Sequence, residues 1–253
     1  MEIDLNCDMG ESFGIYRIGN DEEMMAYVNS ISVGCGFHAG DPHVMGETVT
    51  LAKKYGVAVG AHPGYPDLIG FGRRKMEITP AEARDYLLYQ VGALKAFCEA
   101  VGLELQHVKP HGEFYQMLWT NESLARGVLE AVREIEPEPI FLALYNTIPY
   151  EMAQSMGMRV AGELYADLDY YPDGTTFIKK VHGEIDTKAT VEKVVKMVVE
   201  GKVVASDGKE IEVKGNTICF HGDNPQGPQI VKAVREELEK IGTKIAPLGD
   251  HTY

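Results

Sequence analysis

Residues 30–65 read SISVGCGFHAGDPHVMGETVTLAKKYGVAVGAHPGY, and the order of patterns in this stretch decides the fold class. Two short apolar runs, Ser30–Cys35 and Val57–Ala61, flank a helical pattern at Pro42–Tyr55. Apolar runs of about four to eight residues bounded by turn signals are typical of buried strands, and proline is favoured at the start of a helix. Strand, helix and strand in this order predict a parallel βαβ unit.

The same alternation continues through the rest of the chain. The other apolar runs are Ile3–Cys7, Leu105–Val108, Ile140–Leu144, Val160–Tyr165 and Thr217–Phe220. The other helical patterns are Asp21–Val28, Pro80–Val101, Glu122–Ile135, Thr187–Glu200 and Pro228–Ile241. Seven strands separated by helices predict an α/β fold, a seven-stranded parallel barrel of the TIM type, with a doubly wound open sheet as the alternative.

The longest helical pattern carries its own start and stop signals. Thr79 is a capping residue, Pro80 takes the first helical position, and Glu82 completes a capping box. Gly102 follows the last turn, where glycine commonly ends a helix. We therefore expect one helix over Pro80–Val101.

One segment departs from the alternation. Residues 202–213 read as two short strands around Asp207-Gly208, a dipeptide that favours a type I′ hairpin turn. No linker or low-complexity tract divides the sequence. We expect a single barrel domain over residues 1–253, with an inserted hairpin at 202–213.

Composition excludes several classes of function. The 253 residues are 45% hydrophobic and 25% charged, which is ordinary for a globular protein. The net charge of −14 repels nucleic acid and anionic lipid, so we expect neither as a partner. Four scattered cysteines without a CxxC pair do not make a disulfide scaffold, and the N-terminus shows no signal-peptide pattern. A cytoplasmic location is the resulting expectation.

Ionisable residues gather at the same end of the predicted strands. Because strand side chains alternate between two faces, each set spaced by two residues lies on one face. The sets are Asp4, Asn6 and Asp8; His107, Lys109 and His111; Glu163, Tyr165 and Asp167; and Cys219, His221 and Asp223, while His38 and His62 end the second and third strands. Catalytic residues of α/β barrels lie at the carboxyl ends of the strands, so this pattern predicts an active site at the barrel mouth.

The residue types at this mouth suit hydrolytic chemistry. Histidine and aspartate serve as general acids and bases near neutral pH. Lys109 can stabilise an oxyanion or hold a phosphate, and Arg73 and Arg74 can clamp a carboxylate or phosphate. A cysteine nucleophile at Cys35 or Cys219 is a weaker alternative, because buried cysteines are usually inert.

A metal centre is the competing interpretation of the same residues. Asp8, His38, His43 and His62 are of the types that hold zinc or another divalent ion. His38 and His43 are five residues apart, a poor spacing for one helix face, but Pro42 starts the helix between them, so the two side chains can still converge. The residues alone leave the metal open.

Six sequence blocks together resemble the LamB/YcsF family over essentially the whole chain and in the order of that family. The blocks are residues 4–14 (DLNCDMGESFG), 35–42 (CGFHAGDP), 60–67 (GAHPGYPD), 70–74 (GFGRR), 108–112 (VKPHG) and 221–225 (HGDNP). The resemblance implies a seven-stranded α/β barrel of the glycoside hydrolase/deacetylase type. It also implies ATP-dependent opening of the lactam of 5-oxo-L-proline to L-glutamate, ADP and phosphate, together with 5-oxoprolinase subunits B and C.

This chemistry assigns roles to the residues of the mouth. Phosphorylation of the amide oxygen would make a leaving group, water would attack the carbon, and the ring nitrogen would need a proton. The expected catalytic residues are Asp8, His38, His62, Lys109, His111 and His221. The expected substrate or phosphate ligands are Asn6, Glu11, Arg73, Arg74, Glu163, Asp167 and Asp223. The chain has no P-loop motif, so the ATP site would be of another kind or shared with the other subunits.

The chain departs from the family pattern at several positions. Leu168 stands where an arginine is usual, Glu113 where an alanine is usual, and Lys179-Lys180 where a Pro-Arg pair is common. The changes at Leu168 and Glu113 predict altered substrate or phosphate contacts, and with them a shifted substrate or an altered partner surface. Two other functions stay open, a metal-dependent carbohydrate deacetylase or amidohydrolase and a non-catalytic subunit of a complex.

Overall fold

The computed structural model describes residues 2–135, 138–177 and 185–251, so Lys179 and Lys180 lie outside the described residues. The strands are β1 (Glu2–Met9), β2 (Ser30–Gly34), β3 (Ala58–His62), β4 (Leu105–Val108), β5 (Ile140–Ala143), β6 (Arg159–Tyr165), β7 (Lys202–Val204), β8 (Glu210–Glu212), β9 (Thr217–His221) and β10 (Lys244–Ile245). The helices are α1 (Asp21–Met25), α2 (Pro42–Tyr55), α3 (Pro80–Val101), α4 (Gly112–Thr120), α5 (Glu122–Ile135), α6 (Ile148–Ser155), α7 (Thr187–Glu200) and α8 (Gly227–Lys240).

Strand pairing closes the sheet into a barrel. Within the described ranges, seven parallel strands follow one another in the order β1-β2-β3-β4-β5-β6-β9. β1 completes the ring because it pairs with β2 on one side, Asp8 opposite Ser32, and with β9 on the other, Asp8 opposite His221. The short β10 adds to the start of β1. The predicted seven-stranded barrel is thus confirmed, and the open sheet is excluded.

The capping residues at the two ends of α3 have the conformations and hydrogen bonds that the sequence predicts. The hydroxyl of Thr79 accepts a hydrogen bond from the Glu82 N–H, the Glu82 carboxylate accepts one from the Thr79 N–H, and Gly102 ends the helix in the left-handed conformation. The sequence analysis missed two shorter helices, α4 and α6. Both are shorter than α3 and follow directly on mouth loops, so their periodicity is too brief to stand out.

The predicted turn type in the hairpin is wrong. β7 and β8 pair antiparallel, with Val203 opposite Ile211. Only Gly208 of the turn dipeptide has a positive φ, +83°, whereas a type I′ turn needs two such residues. The Gly208 N–H bonds to the Ala205 carbonyl, and the Ala205 N–H to the Lys209 carbonyl. A single left-handed glycine therefore closes this longer loop.

The two faces of β1 have different environments, as its alternation predicts. Ile3, Leu5 and Cys7 belong to the apolar core, and the Cys7 sulfur contacts Met24 of α1. On the other face the Asn6 amide reaches His107 on β4, 3.3 Å away. Because β1 and β4 are not neighbours in the sheet, this contact crosses the barrel interior. The interior therefore has a polar layer beneath the mouth.

Hydrogen bonds satisfy much of this interior layer. Asp4 Oδ2 accepts from the hydroxyls of Ser30 at 2.7 Å and Thr217 at 2.6 Å. Burial nevertheless raises the pKa of Asp4 to about 7. Gly60 supplies the room for His107, because a Cβ atom at position 60 would overlap the imidazole ring. Among the described helices, none is long and apolar enough to cross a membrane.

Candidate active site at the barrel mouth

The carboxyl ends of the strands bring ionisable side chains from distant parts of the sequence together. β1 carries Asp8, β3 ends at His62, Lys109 follows β4, β6 carries Glu163, and β9 ends at His221. All five residues are buried or nearly so. Parallel strands place their carboxyl ends on the same side of the barrel, so the fold itself assembles this group.

Lys109 lies at the centre of the mouth. Its Nζ atom contacts the Asp8 carboxylate, lies 3.1 Å from Glu163 Oε1 and 3.2 Å from the Cys219 sulfur, and its side chain is only 3% exposed. Burial lowers the pKa of Lys109, but Asp8, Cys219 and Glu163 more than offset this and hold it well above its usual value. The site therefore contains a fixed cation.

Asp8 is correspondingly a fixed anion. Burial raises the pKa of Asp8, but the neighbouring His62 imidazole and the Lys109 ammonium outweigh it and hold the pKa well below its usual range. Asp8 Oδ2 lies 3.1 Å from His62 Nε2. A carboxylate kept ionised in this way orients its partners and compensates Lys109.

His221 forms a dyad with Asp167. Its Nδ1 atom lies 2.8 Å from Asp167 Oδ1, and its Nε2 atom is 3.9 Å from Asp8 Oδ2. Burial lowers the pKa of His221, but the attraction and hydrogen bond of Asp167, followed by Asp8 and Asp223, raise it to about 9. The imidazole is therefore charged at neutral pH and can give up a proton.

His62 packs with two further histidines, His38 and His111, at the rim of the same mouth. The rings of His38 and His111 stack with centroids 3.7 Å apart, and His62 meets both edge-on. Glu11 joins them, its Oε1 atom 3.1 Å from His38 Nε2. Burial is the first cause that lowers the pKa values of His38 and His111 well below the usual range, so both rings are neutral.

A loop after β3 closes over this cluster. Arg73 on this loop donates to Asp223 at 3.0 Å, and its guanidinium lies over the Phe71 ring. Gly72 has a φ of +63°, and a Cβ there would crowd His111 and His38. Glycine at position 72 therefore permits the loop to approach the histidines closely.

Most residues expected at the site lie together, and three do not. His43 has an 84% exposed side chain beside Glu47, since it follows the α2 N-cap and points outward. Arg74 is 59% exposed and pairs with Asp67 on the outer rim. Asn6 lies in the interior layer below the mouth, where it bonds to Ser30 and Ser32. We leave these three out of the proposed chemistry.

Part of the cavity wall consists of residues that the sequence did not predict as site residues. Asp8, His62, Arg73, Lys109, His111 and His221 share that wall with Tyr115, Gln116, Trp119, Tyr165, Leu168 and Thr176. The first three of the missed residues belong to α4, which was not predicted. Tyr165 was already predicted on the β6 face with Glu163, whose Oε2 accepts a hydrogen bond from its hydroxyl at 2.6 Å. Leu168 adds apolar surface to this wall.

The cysteines are poorly suited to act as nucleophiles. Burial raises the pKa of Cys35 to about 12 and that of Cys219 well above its usual value. The thiolate is the reactive form, and these environments suppress it. The structure therefore favours the prediction that both are buried, inert side chains.

Two groups of potential metal ligands occur among the described residues. Glu11, His38, His62 and His111 place one ligand atom each within 4.8 Å of one another, and Asp8, Cys219 and His221 form the second group. The first group combines imidazoles with a carboxylate, a donor set that suits zinc and related divalent ions. The second lies against the Lys109 ammonium, which disfavours a cation.

The sequence profile of the LamB/YcsF family matches residues 3–252. The chain belongs to the LamB/YcsF family. It is 52% identical over 252 residues to a protein from Thermococcus onnurineus that is named as the A subunit of 5-oxoprolinase, and the match covers 99% of both chains. It is 47% identical over 249 residues to a protein of the same name from Campylobacter jejuni, with 98% of both chains covered.

Solved structures agree on the fold of this LamB/YcsF member. The crystal structure of a lactam utilization protein from Thermus thermophilus matches with a TM-score of 0.90 and 42% identity, over 97% of this chain and 99% of that one. A family 4 carbohydrate esterase from Streptomyces lividans matches with a TM-score of 0.53 and 12% identity, over 98% and 92% of the two chains. The second similarity shows a shared barrel fold alone.

Proposed function

We propose that this chain is the A subunit of an ATP-dependent 5-oxoprolinase and that its barrel mouth hydrolyses the lactam of 5-oxo-L-proline. The products are L-glutamate, ADP and phosphate. Relatives named as the A subunit of 5-oxoprolinase, at 47–52% identity over nearly the whole chain, support this reaction. The name of the Thermus relative, a lactam utilization protein, agrees with a cyclic amide substrate.

One observation carries the assignment to this mouth. A fixed ammonium, a guanidinium and a charged imidazole, from Lys109, Arg73 and His221, line the same cavity. Lactam opening needs a cation near the amide oxygen, a partner for the substrate carboxylate and a proton for the departing nitrogen. Each of the three groups matches one of these needs.

The proton donor in this proposal is His221. The Asp167 carboxylate accepts the Nδ1–H of its imidazolium, and the Nε2–H of this cavity-lining ring is the proton that is transferred. As the C–N bond breaks, the ring nitrogen gains a lone pair and takes this proton. Asp167 stabilises the imidazolium before the transfer and keeps the ring oriented.

Lys109 and Arg73 bind two different groups of the substrate, the amide oxygen and the carboxylate. Lys109 faces the amide oxygen, whether that oxygen develops negative charge or carries a phosphoryl group. Arg73 binds the carboxylate of 5-oxoproline and exchanges its bond to Asp223 for this ligand. The Glu11, His38, His62 and His111 cluster, beside Asp8, positions the attacking water.

In the proposal the nucleoside part of ATP stays outside this cavity, only its γ-phosphoryl group reaches the amide oxygen inside while ADP leaves, and subunits B and C take part in this step. The cavity has a volume of about 50 Å³, whereas sites that enclose drug-sized ligands measure about 300–1,000 Å³. A small cyclic acid is therefore a better occupant than a nucleotide. A cytoplasmic location fits ATP as co-substrate, and the four free cysteines suit a reducing compartment.

The test is glutamate release from 5-oxoproline and ATP. This chain, its B and C partners and all pairwise mixtures are compared with the complete mixture. We expect glutamate only when this chain is present, with ADP formed in equal amount. Equal glutamate release by B and C without this chain would refute the proposal.

A carbohydrate deacetylase is the second candidate, favoured by the imidazole-rich ligand group at the mouth. Its test is acetate release from acetylated chitooligosaccharides by the chain alone, with zinc present. We expect no acetate. Acetate release without glutamate release would replace the first proposal by the second.

A further inference from the structure

We propose that Glu11, His62 and His111 form a binding site for one divalent transition-metal ion, with zinc as the expected occupant, and that His38 positions Glu11. This inference is independent of the proposed function, since it concerns what the mouth binds in the absence of substrate. It differs from the metal set expected from sequence, which included Asp8 and His43.

Two imidazole nitrogens face each other in this cluster. His62 Nδ1 lies 2.7 Å from the Lys109 carbonyl oxygen, and His111 Nε2 lies 2.8 Å from that of Phe71. A carbonyl oxygen only accepts hydrogen bonds, so each of these nitrogens carries a hydrogen. His62 Nε2 and His111 Nδ1 are therefore the two ring nitrogens that remain for a ligand bond, and they lie 3.0 Å apart. A cation between them bonds to both.

The backbone bonds also match the way proteins hold metal-binding histidines. A ligating imidazole almost always donates its other N–H to a carbonyl or carboxylate, which fixes its tautomer and orientation. His62 and His111 both do so, His62 to the carbonyl of Lys109 and His111 to the carbonyl of Phe71. The two rings are thus held in orientation before any ion arrives.

Glu11 completes the ligand set, and His38 holds it in place. Glu11 Oε1 lies 3.9 Å from His111 Nδ1 and 3.1 Å from His38 Nε2. The His38 ring is parallel to that of His111, with an angle of 6° and centroids 3.7 Å apart. An ion in the plane of the His111 ring lies outside the plane of His38, so His38 is not a ligand in this arrangement. It donates its Nε2–H to Glu11 instead.

Two histidines and one carboxylate form a donor set of known preference. Such sets hold zinc in hydrolases and leave a coordination position open. His62 and His111 both line the cavity, so water can reach an ion that they hold. Asp8 is left out of the set because its Oδ1 atom contacts the Lys109 ammonium, whose charge repels a second cation at this carboxylate.

The test measures metal binding to the purified, chelator-treated chain without substrate. Zinc is added in a calorimetric titration and metal content is determined after dialysis, and cobalt replaces zinc for visible spectroscopy. We expect one ion per chain and a cobalt spectrum of nitrogen and oxygen ligands. Absence of stoichiometric zinc, or a thiolate-to-cobalt charge-transfer band from Cys219, would overturn the site.

Variants assign the ligands one by one. We expect Glu11→Gln and His111→Gln to weaken zinc binding by more than about 100-fold, and His38→Gln by about 10–100-fold with stoichiometry retained, as for outer-sphere partners. The exposed His43→Gln is the matched control and leaves affinity unchanged. Circular dichroism verifies folding of each variant. Wild-type affinity in folded Glu11→Gln and His111→Gln would refute the proposal, and the wild-type cobalt spectrum decides it if these variants do not fold.

Discussion

The Nδ1 atom of His221 and the Oδ1 atom of Asp167 lie 2.8 Å apart, and this hydrogen bond joins the end of β9 to the segment after β6. It fixes the tautomer and charge of an imidazole that is 13% exposed at the barrel mouth. A histidine held in this way differs from an isolated one in its pKa and in the direction of its Nε2 atom. Both properties can be measured.

Replacing Asp167 by asparagine removes the main attraction that raises the His221 pKa. We expect the pKa to fall from about 9 towards the ordinary value of 6.5, because burial then acts unopposed by Asp167. Activity that needs the imidazolium is lost as pH rises through this pKa, so the alkaline limb of the kcat profile moves to lower pH. NMR titration of His221 measures the pKa directly, and the exposed Asp173→Asn is the control. An unmoved alkaline limb would contradict the role of His221 as acid.

The same pKa shift makes stability depend on pH. The His221 pKa is raised on folding, so its stabilisation is fully present below about 6.5 and is lost as pH rises through about 9. We expect the free energy of unfolding of the wild type to fall over this window. Urea denaturation at several pH values checks this, and Asp167→Asn should show a weaker fall.

Lys109→Met leaves Asp8 and Glu163 buried without their shared cation. Removing one partner of a buried ion pair costs about 3–5 kcal/mol, so we expect a large loss of stability. Adding Glu163→Gln to Lys109→Met should recover part of it. Chemical denaturation measures the difference, and Lys188→Met on the surface of α7 serves as the control. A single variant as stable as wild type would show that the charges are solvated.

Gly60→Ala tests how the barrel interior accommodates His107. The new Cβ atom would overlap the imidazole, and overpacking of this kind costs about 1–3 kcal/mol. Gly92→Ala is the matched control, because its Cβ would meet Ile135 at an ordinary 3.5 Å within α3. We expect the control to be neutral or stabilising. Thermal melts of both variants decide the matter, and equal melting temperatures would contradict the packing argument.

Arg73→Gln is expected to raise KM for 5-oxoproline. A hydrogen bond to a charged group is worth about 1.5–3 kcal/mol, which corresponds to about 10–100-fold in binding. 2-Pyrrolidinone, the same lactam without a carboxylate, should be turned over equally by wild type and variant. Arg74→Gln, at the exposed neighbouring position, is the control. Equal KM values for 5-oxoproline in wild type and Arg73→Gln would remove Arg73 from the substrate site.

Much of the barrel could be predicted because its strands and helices are specified by residues that are close together in sequence. Alternation in β1 separates Asp4, Asn6 and Asp8 from the apolar face, and the capping box at Thr79 marks the start of α3. Each of these depends on neighbours within a few residues in sequence. The hairpin turn was mistaken because Asp207-Gly208 allows more than one loop, and the rest of the loop decides which forms.

The sequence predicted which residues form the site better than which of them lie next to one another. Sequence placed His38 and His43 in one candidate metal group, but the first turn of α2 directs His43 outward. Glu11 enters the histidine cluster from a loop after β1, where no periodicity fixes its direction. Tyr115 and Trp119 reach the cavity on α4, whose place depends on tertiary packing. Such convergence is a property of three-dimensional contacts that spacing along one chain does not encode.

The most direct test of the account is glutamate release by the complete three-subunit mixture in which this chain carries His221→Gln. Co-purification with the partners verifies that the variant still assembles. We expect glutamate release from 5-oxoproline and ATP to fall by at least about 100-fold, the lower range for loss of a general acid. Wild-type rates from the assembled variant would contradict the claim that this barrel mouth performs the chemistry.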